Sequence, residues 1–209
     1  MVAVKICGIT NEADAAVAVD AGADALGFVC YRKSPRYVEP NVIKAIVSRL
    51  PPFVLPVGVF VNETAQTVRS LLDDTGLMLA QLHGDESATY CEQLGRPALK
   101  AFRLKDRSGF LALAEYRGRA GIRGFLVDAY SESAYGGTGQ TIDWSLAAEV
   151  AKAMTVLLAG GLTPENVGDA IRAVRPYGVD VSSGVEIAPG KKDHAKVRAF
   201  VDAVRLVSS

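Results

Sequence analysis

The chain contains eight short, mainly apolar runs that lack the strict polar alternation of a half-exposed strand. They cover residues 2–6, 23–30, 53–61, 78–82, 98–102, 124–127, 156–159 and 179–181. Strands that are apolar along their length are buried on both faces, as they are in a parallel sheet covered by helices. The runs therefore predict an α/β fold.

A segment with helical spacing follows each apolar run. In the last one, apolar residues recur at i, i+3, i+4 and i+7 between Val197 and Val204, which is the spacing of one helix face. Thr163-Pro164-Glu165 is typical of a helix start, and Gly22 stands where a helix end is expected. The predicted helices cover residues 11–21, 40–50, 63–74, 86–95, 108–117, 144–153, 164–174 and 193–206.

The number and order of these units favour a closed barrel. Eight strand–helix units in 209 residues leave about 26 residues for each, which suits a small (β/α)8 TIM barrel. No linker or low-complexity tract divides the chain, so we expect residues 1–209 to form a single domain. The fifth and eighth runs are the weakest, and an open doubly wound sheet is the alternative if either is not a strand.

Charge and cysteine content exclude several classes of protein. Lys and Arg together number 23, as do Asp and Glu, which argues against broad binding to nucleic acid or to an anionic membrane. No apolar run approaches the ~18 residues that span a bilayer. The three cysteines have no CxxC spacing, so neither a disulfide framework nor a zinc site is predicted. These features are typical of a reduced, cytoplasmic protein.

In a TIM barrel the functional residues lie at the C-terminal ends of the strands. The residues that follow the predicted strands include a thiol, an acid, two cations and two glycine-containing loops. They are Cys7, Arg36, His83, Arg103, Asp128, Gly160-Gly161 and Ser182-Ser183-Gly184.

The two glycine-containing loops follow the seventh and eighth strands, where barrels of this class commonly bind phosphate. Glycines let backbone N–H groups approach an anion closely. Gly160, Gly161, Ser182, Ser183 and Gly184 are therefore a candidate phosphate site. The alternative is that the glycines only form tight turns.

Two side chains are candidates for acid–base chemistry. Cys7 stands at the end of a strand, although a lone cysteine there is also commonly a small buried apolar residue. Asp128 stands at the mouth of a buried strand, where a carboxylate must be paired, solvated or catalytic. Cys30 and Cys91 are interpreted as packing residues.

Other polar positions leave several roles open. His83 could be a general base, a positioning residue or a structural one, and no second ligand completes a metal site beside it. Arg36 belongs to a small basic loop that is either solvated surface or a site for a carboxylate. The stretch Gly136-Gly137-Thr138-Gly139 could form a mobile lid or a further anion contact.

The chain resembles the phosphoribosylanthranilate isomerase family along essentially its whole length. The similar blocks, in order, are residues 4–10 (VKICGIT), 27–28 with 34–37 (GF, SPRY), 57–62 (VGVFVN), 81–84 (QLHG), Asp128 with 135–139 (YGGTG), 158–162 with 164–167 (LAGGL, PENV), 180–186 (DVSSGVE) and 189–193 (PGKKD). Ala159 departs from the Ser that is also common there. This matters little if backbone N–H groups hold the phosphate.

The resemblance implies a TIM barrel that needs no metal or organic cofactor. It implies an Amadori rearrangement of a small phosphoribosyl substrate in tryptophan biosynthesis, with Cys7 as general base and Asp128 as general acid. Arg36, His83 and Asp180 would contact the substrate, the roles of the last two remaining open. The base must be at least partly thiolate and the acid protonated, so their surroundings must differ. The chain is expected to be a monomer or a homodimer.

Three other functions remain as alternatives. Indole-glycerol-phosphate synthase depends on catalytic lysines, and the isomerase of histidine biosynthesis depends on paired aspartates. A Cys/Asp pair on the first and sixth strands counts against both enzymes. A catalytically inactive barrel that binds a phosphosugar is the third alternative, and single-turnover conversion of the substrate would exclude it.

Overall fold

The computed structural model describes residues 1–104, 107–128 and 144–208. Within these residues, eight parallel strands form one closed barrel in sequence order, and the last strand pairs with the first. The strands are β1 (Ala3–Cys7), β2 (Ala25–Val29), β3 (Leu55–Phe60), β4 (Leu79–Leu82), β5 (Ala98–Arg103), β6 (Ile122–Asp128), β7 (Val156–Ala159) and β8 (Gly178–Val181).

A helix follows each strand along the chain. The helices are α1 (Glu12–Asp20), α2 (Pro40–Val47), α3 (Ala65–Thr75), α4 (Ala88–Leu94), α5 (Arg107–Ala114), α6 (Ser145–Ala153), α7 (Val167–Val174) and α8 (His194–Ser208). The predicted TIM barrel is confirmed, and the open-sheet alternative is wrong because both weak runs are paired strands. No helix in the described ranges is long and apolar enough to cross a membrane.

Two local predictions have different outcomes. Gly22 follows the end of α1 with a left-handed φ of +96°, and its N–H bonds to the carbonyl of Val19, as a glycine after a helix does. The predicted start of α7 at Thr163 is wrong, because the helix begins at Val167. Thr163 instead opens a turn in which the side chain of Asn166 accepts a hydrogen bond from the Thr163 N–H at 2.8 Å.

A short element between β8 and α8 was not predicted. A 3-10 turn (Ser183–Val185) leads into the antiparallel hairpin of β9 (Glu186–Ala188) and β10 (Lys191–Lys192). These strands are too short for a periodic pattern to reveal. The hairpin brings Glu186 and Lys192 beside the C-terminal end of the barrel.

The period of two along each strand separates two packing layers. On β1, Val4 and Ile6 belong to the core between the sheet and the helices. A separate interior cluster of Val57, Leu79 and Leu99 fills the lower barrel. Above it the interior becomes polar, which is where the chemistry of this fold is expected.

Three buried lysines are each paired with a carboxylate. Lys5 lies 2.7 Å from Asp180, Lys100 lies 3.1 Å from Glu86, and Lys192 lies 2.9 Å from Glu186. Removing an ammonium group from water is costly unless a counter-charge and hydrogen bonds replace the solvent. Each pair joins segments that are distant in sequence or fixes a loop at the mouth of the barrel.

The seam between β8 and β1 leaves no room for a side chain at Gly178. A Cβ there would lie 2.9 Å from the carbonyl oxygen of Ala3. We expect Gly178→Ala to lower the free energy of unfolding by about 1–3 kcal/mol through overpacking. Gly168→Ala, at an uncrowded position in α7, should raise it by roughly 0.5–1 kcal/mol. Urea unfolding of both variants measures these effects, and equal changes would contradict the crowding at the seam.

Candidate active site

A cavity of about 670 Å³ opens at the C-terminal ends of the strands. All ten residues predicted for the site line it. They are Cys7, Arg36, His83, Asp128, Gly160, Gly161, Asp180, Ser182, Ser183 and Gly184. The fold therefore brings together side chains that lie on six different strands or on the loops that follow them.

Cys7 lies at the end of β1 and is 7 % exposed. A Cβ built on Gly27 of the neighbouring strand would lie 2.8 Å from the Cys7 sulfur and 2.9 Å from the Lys5 ammonium. The sulfur and the ammonium therefore face each other across the space that Gly27 leaves open. Lys5 in turn donates a 2.7 Å hydrogen bond to Asp180 of β8.

The charge state of Cys7 differs from the sequence expectation of a partly ionised thiol. Burial raises the pKa of Cys7 above its ordinary value, and the cations Lys5 and Lys192 only partly oppose it. Desolvation penalises the thiolate more than these neighbours stabilise it. The neutral thiol is therefore the resting form at neutral pH.

Asp128 ends β6 and faces the same cavity as Cys7. In the strand register it stands beside Arg103 of β5 and Ala159 of β7. β6 is separated from β1 by β7 and β8 in the closed sheet. The acid and the thiol therefore approach a common ligand from different sides of the mouth.

His83 is held by a buried glutamine. The side-chain amide nitrogen of Gln81 lies 2.9 Å from His83 Nδ1. Because an amide NH₂ can only donate, Nδ1 accepts and the other ring nitrogen, Nε2, carries the proton. Burial lowers the pKa of His83, so at neutral pH the ring is a neutral hydrogen-bond donor.

The loop that carries His83 is anchored by a second buried ion pair. Lys100 donates to the carbonyl oxygens of Gly84 at 2.6 Å and Leu82 at 3.3 Å. Glu86 accepts from the backbone N–H groups of Asn62 and Gly84. The ion pair thus satisfies the backbone groups of the turn after β4 and fixes its position.

The loops after β7 and β8 pack directly against each other. A Cβ on Gly184 would lie only 1.9 Å from the carbonyl oxygen of Leu162, so glycine alone fits there. The backbone N–H groups of Gly161, Ser183 and Gly184 have no acceptor among the residues that the structure describes. The buried hydroxyl of Ser182 also has no hydrogen-bond partner in this part of the chain. These are the donors that an anion requires.

Arg36 is tied to the hairpin by Glu186. Its Nε and Nη2 atoms donate to the two carboxylate oxygens at 2.9 and 2.6 Å, and Lys192 donates to the same carboxylate at 2.9 Å. Burial alone would raise the pKa of Glu186, but these hydrogen bonds outweigh it and lower the pKa. Among the described residues, none accepts a hydrogen bond from Arg36 Nη1.

The sequence did not predict the residues that support those predicted for the site. Lys5, Gln81 and Lys100 each interrupt an otherwise apolar strand, and Glu186 and Lys192 lie in the unpredicted hairpin. A polar residue two positions before a mouth residue, as Lys5 is before Cys7, would have indicated an inward-facing side chain. The proposed glycine-rich lid, residues 136–139, lies outside the described residues.

Comparison with known proteins gives one consistent result. Residues 4–203 match the family described as N-(5'phosphoribosyl)anthranilate (PRA) isomerase. The N-(5'-phosphoribosyl)anthranilate isomerase of Trichlorobacter lovleyi is 52 % identical over 202 residues, covering 96 % of this chain and 97 % of that one. The chain belongs to the phosphoribosylanthranilate isomerase family.

Two solved structures of phosphoribosylanthranilate isomerases match the whole barrel. One, in complex with reduced 1-(o-carboxyphenylamino)-1-deoxyribulose 5-phosphate, is 41 % identical with a TM-score of 0.88. The other, a monomeric form of the dimeric enzyme from Thermotoga maritima, is 39 % identical with a TM-score of 0.86. Each match covers 98 % of this chain and 99 % of the other. The predicted isomerase class and the assignment to tryptophan biosynthesis are thereby confirmed.

Proposed function

We propose that the chain converts N-(5'-phosphoribosyl)anthranilate into 1-(2-carboxyphenylamino)-1-deoxy-D-ribulose 5-phosphate by general acid–base catalysis. One observation carries the proposal: a thiol, a carboxyl group and a set of backbone N–H groups without an acceptor among the described residues line a single cavity. The match to a relative solved with a reduced form of this product supports the same ligand.

In the first step Asp128 donates a proton to the ribose ring oxygen. The bond between that oxygen and C1 breaks, and the anthranilate nitrogen supplies the electron pair that forms the C1=N bond of a protonated Schiff base. The ring opens to a free hydroxyl group. Placing the acid at the mouth of β6 allows it to reach one side of the sugar while the thiol reaches another.

In the second step the Cys7 thiolate removes the proton from C2. The C2–H electron pair becomes the C1=C2 bond, and the C=N π electrons return to nitrogen as the enolamine forms. Transfer of the hydroxyl proton at C2 to C1 then gives the ketone. Because burial raises the pKa of Cys7, the thiol must first lose its proton to solvent, and turnover should increase with pH through this ionisation.

The two anionic ends of the substrate require separate binding groups. We assign the phosphate to the N–H groups of the loops after β7 and β8 and the anthranilate carboxylate to the Nη edge of Arg36. His83, as a neutral donor, and Asp180 remain proposed contacts to the sugar. No metal or organic cofactor is needed for any of these steps.

A second copy of the chain is the proposed partner. Phe53 and Met78 precede β3 and β4, and Tyr177 precedes β8, so all three lie at the N-terminal face of the barrel. They are 95 %, 62 % and 64 % exposed, and Tyr177 borders a largely apolar cavity of about 500 Å³. Exposed apolar side chains around a concave surface indicate an interface, and the related Thermotoga maritima enzyme is dimeric.

The acid–base roles are tested by substitution. We expect Cys7→Ala and Asp128→Asn each to lower kcat by about 10²–10⁴-fold while a product analogue still binds. The assay follows phosphoribosylanthranilate fluorescence with EDTA present. Cys30→Ala is the control and should keep its activity. Near-normal turnover by Cys7→Ala would contradict the base assignment, and complete inactivity of the folded wild type would contradict the reaction.

The phosphate site is tested at Gly161, whose φ of +62° already disfavours other residues. Gly161→Val should raise KM and abolish protection by inorganic phosphate in thermal unfolding, because its side chain prevents close approach to the backbone. Gly118→Val, another left-handed glycine but with open space around its Cβ position, controls for backbone strain. Equal phosphate protection in all three proteins would contradict the assignment.

Arg36 is tested with a substrate analogue that lacks the carboxylate. A charge-assisted contact is worth ~1.5–3 kcal/mol, so Arg36→Ala should weaken substrate binding by roughly one to two orders of magnitude. Arg36→Lys should recover part of the loss, since an ammonium cannot reproduce the fork. Wild type and Arg36→Ala should bind the analogue equally. If the variant also loses affinity for the analogue, Arg36 only anchors the hairpin through Glu186.

The dimer is tested by sedimentation equilibrium. We expect a dimer for the wild type and a monomer for Phe53→Glu, because a charge in the centre of an apolar interface is desolvated without a partner. Ile187→Glu is the matched control, since Ile187 is 67 % exposed on β9, beside the C-terminal end of the barrel. A monomeric wild type would contradict the proposed partner.

A further inference from the structure

Lys5 is a fully buried cation for which the acid–base steps above have no role. It is 1 % exposed, and its partner in the ion pair, Asp180, is 8 % exposed. Burying such a pair is not in itself a gain in stability, since desolvation offsets the attraction between the charges. Stability alone therefore does not account for an ion pair placed directly below the thiol.

Three neighbouring strands build this position. Lys5 and Cys7 are two residues apart on β1, so both face the interior. In the closed sheet Lys5 stands opposite Asp180 of β8, and Asp180 holds the ammonium at 2.7 Å. On the other side, Gly27 stands opposite Cys7 and leaves open the space in which the sulfur and the ammonium meet.

We propose that Lys5 is a positioning residue that acts through Cys7: its ammonium, held in place by Asp180, stabilises the thiolate as the base forms. This inference rests on the proposed role of Cys7. It gives Asp180 a function beneath the substrate, as the counter-charge that keeps Lys5 protonated and in place. It also explains glycine at position 27, because any side chain would separate the two atoms.

Other charged groups lie around Cys7, but each has a different position and different contacts from Lys5. Lys192 donates to the backbone carbonyl of Cys7 at 2.5 Å and is itself paired with Glu186, which also binds Arg36. Across the mouth, His83 lies directly after β4 and Asp128 at the end of β6. Asp180 is the acidic residue of β8, and it disfavours the thiolate less than Lys5 favours it. Among its neighbours, Lys5 thus does most to offset the rise in the Cys7 pKa that burial causes.

Direct titration of the thiol tests the proposal without using enzyme activity. In a Cys30→Ala/Cys91→Ala protein, Cys7 is the only cysteine, and its ionisation can be followed by the ultraviolet absorbance of the thiolate. Adding Lys5→Met should raise the pKa of Cys7 by about 1–3 pH units, the effect of an adjacent opposite charge. Lys44→Met, which removes the same charge from an exposed position on α2, should leave it unchanged.

A paired variant covers the case in which Lys5→Met leaves Asp180 as an uncompensated buried charge and the protein fails to fold. Lys5→Met/Asp180→Asn removes both charges, and the Cys7 pKa should still rise because Lys5 favours the thiolate more than Asp180 disfavours it. Lys5→Arg should keep it closer to that of the parent protein. An unchanged pKa in the folded double variant would overturn the proposal.

A kinetic measurement distinguishes this inference from the proposed base. In the variants that titrate higher, the pH dependence of kcat/KM should move upward by the same amount as the thiol pKa. If the Cys7 pKa shifts but the pH dependence of kcat/KM does not, Cys7 is not the base. The interaction between Lys5 and Cys7 would still stand. If a Lys5 variant were more active than the parent protein at the same pH although its Cys7 pKa had not shifted, the proposed role of Lys5 would be wrong.

Discussion

Pairing of β8 with β1 is the interaction on which the site depends. The register that closes the barrel places Lys5 opposite Asp180, so one set of strand contacts both removes the last sheet edges and forms the buried ion pair. A closed sheet has no exposed edge at which strands could add. Its interior is fixed by eight strands at once, which gives the mouth residues defined positions.

A second link holds the mouth together from outside the sheet. Glu186 on the hairpin binds Arg36, 150 residues earlier in the chain, and Lys192 binds the carbonyl of Cys7, 185 residues earlier. Glu186 therefore neutralises two cations that would otherwise repel each other near the thiol. The loop after β2 and the end of β1 are connected through this carboxylate. Glu186 therefore helps to hold both Arg36 and, through Lys192, Cys7 in position.

The architecture and the mouth residues were predictable because each depends on local pattern. Continuous apolar strands, helical spacing and the count of eight units lead to the barrel, and the barrel alone places Cys7, His83 and Asp128 at its mouth. Long-range pairing was not predictable in this way. Nothing local to Lys5 shows that Asp180 lies beside it, and nothing local to Arg36 shows that Glu186 occupies one edge of its fork. The raised pKa of Cys7 likewise follows from desolvation, which only the assembled barrel reveals.

The contacts around Cys7 also impose an order on assembly. The thiol belongs to the first strand, yet its covering residues come from β8 and the hairpin. Lys192, whose ammonium binds the Cys7 carbonyl, lies 185 positions further along the chain. During synthesis from the N-terminus, the cysteine emerges well before the residues of β8 and β10 that enclose it. Until β8 and β10 are added, it is a solvent-exposed thiol with an ordinary ionisation. The nascent chain is therefore open to oxidation and alkylation at this residue in a way that the finished barrel is not.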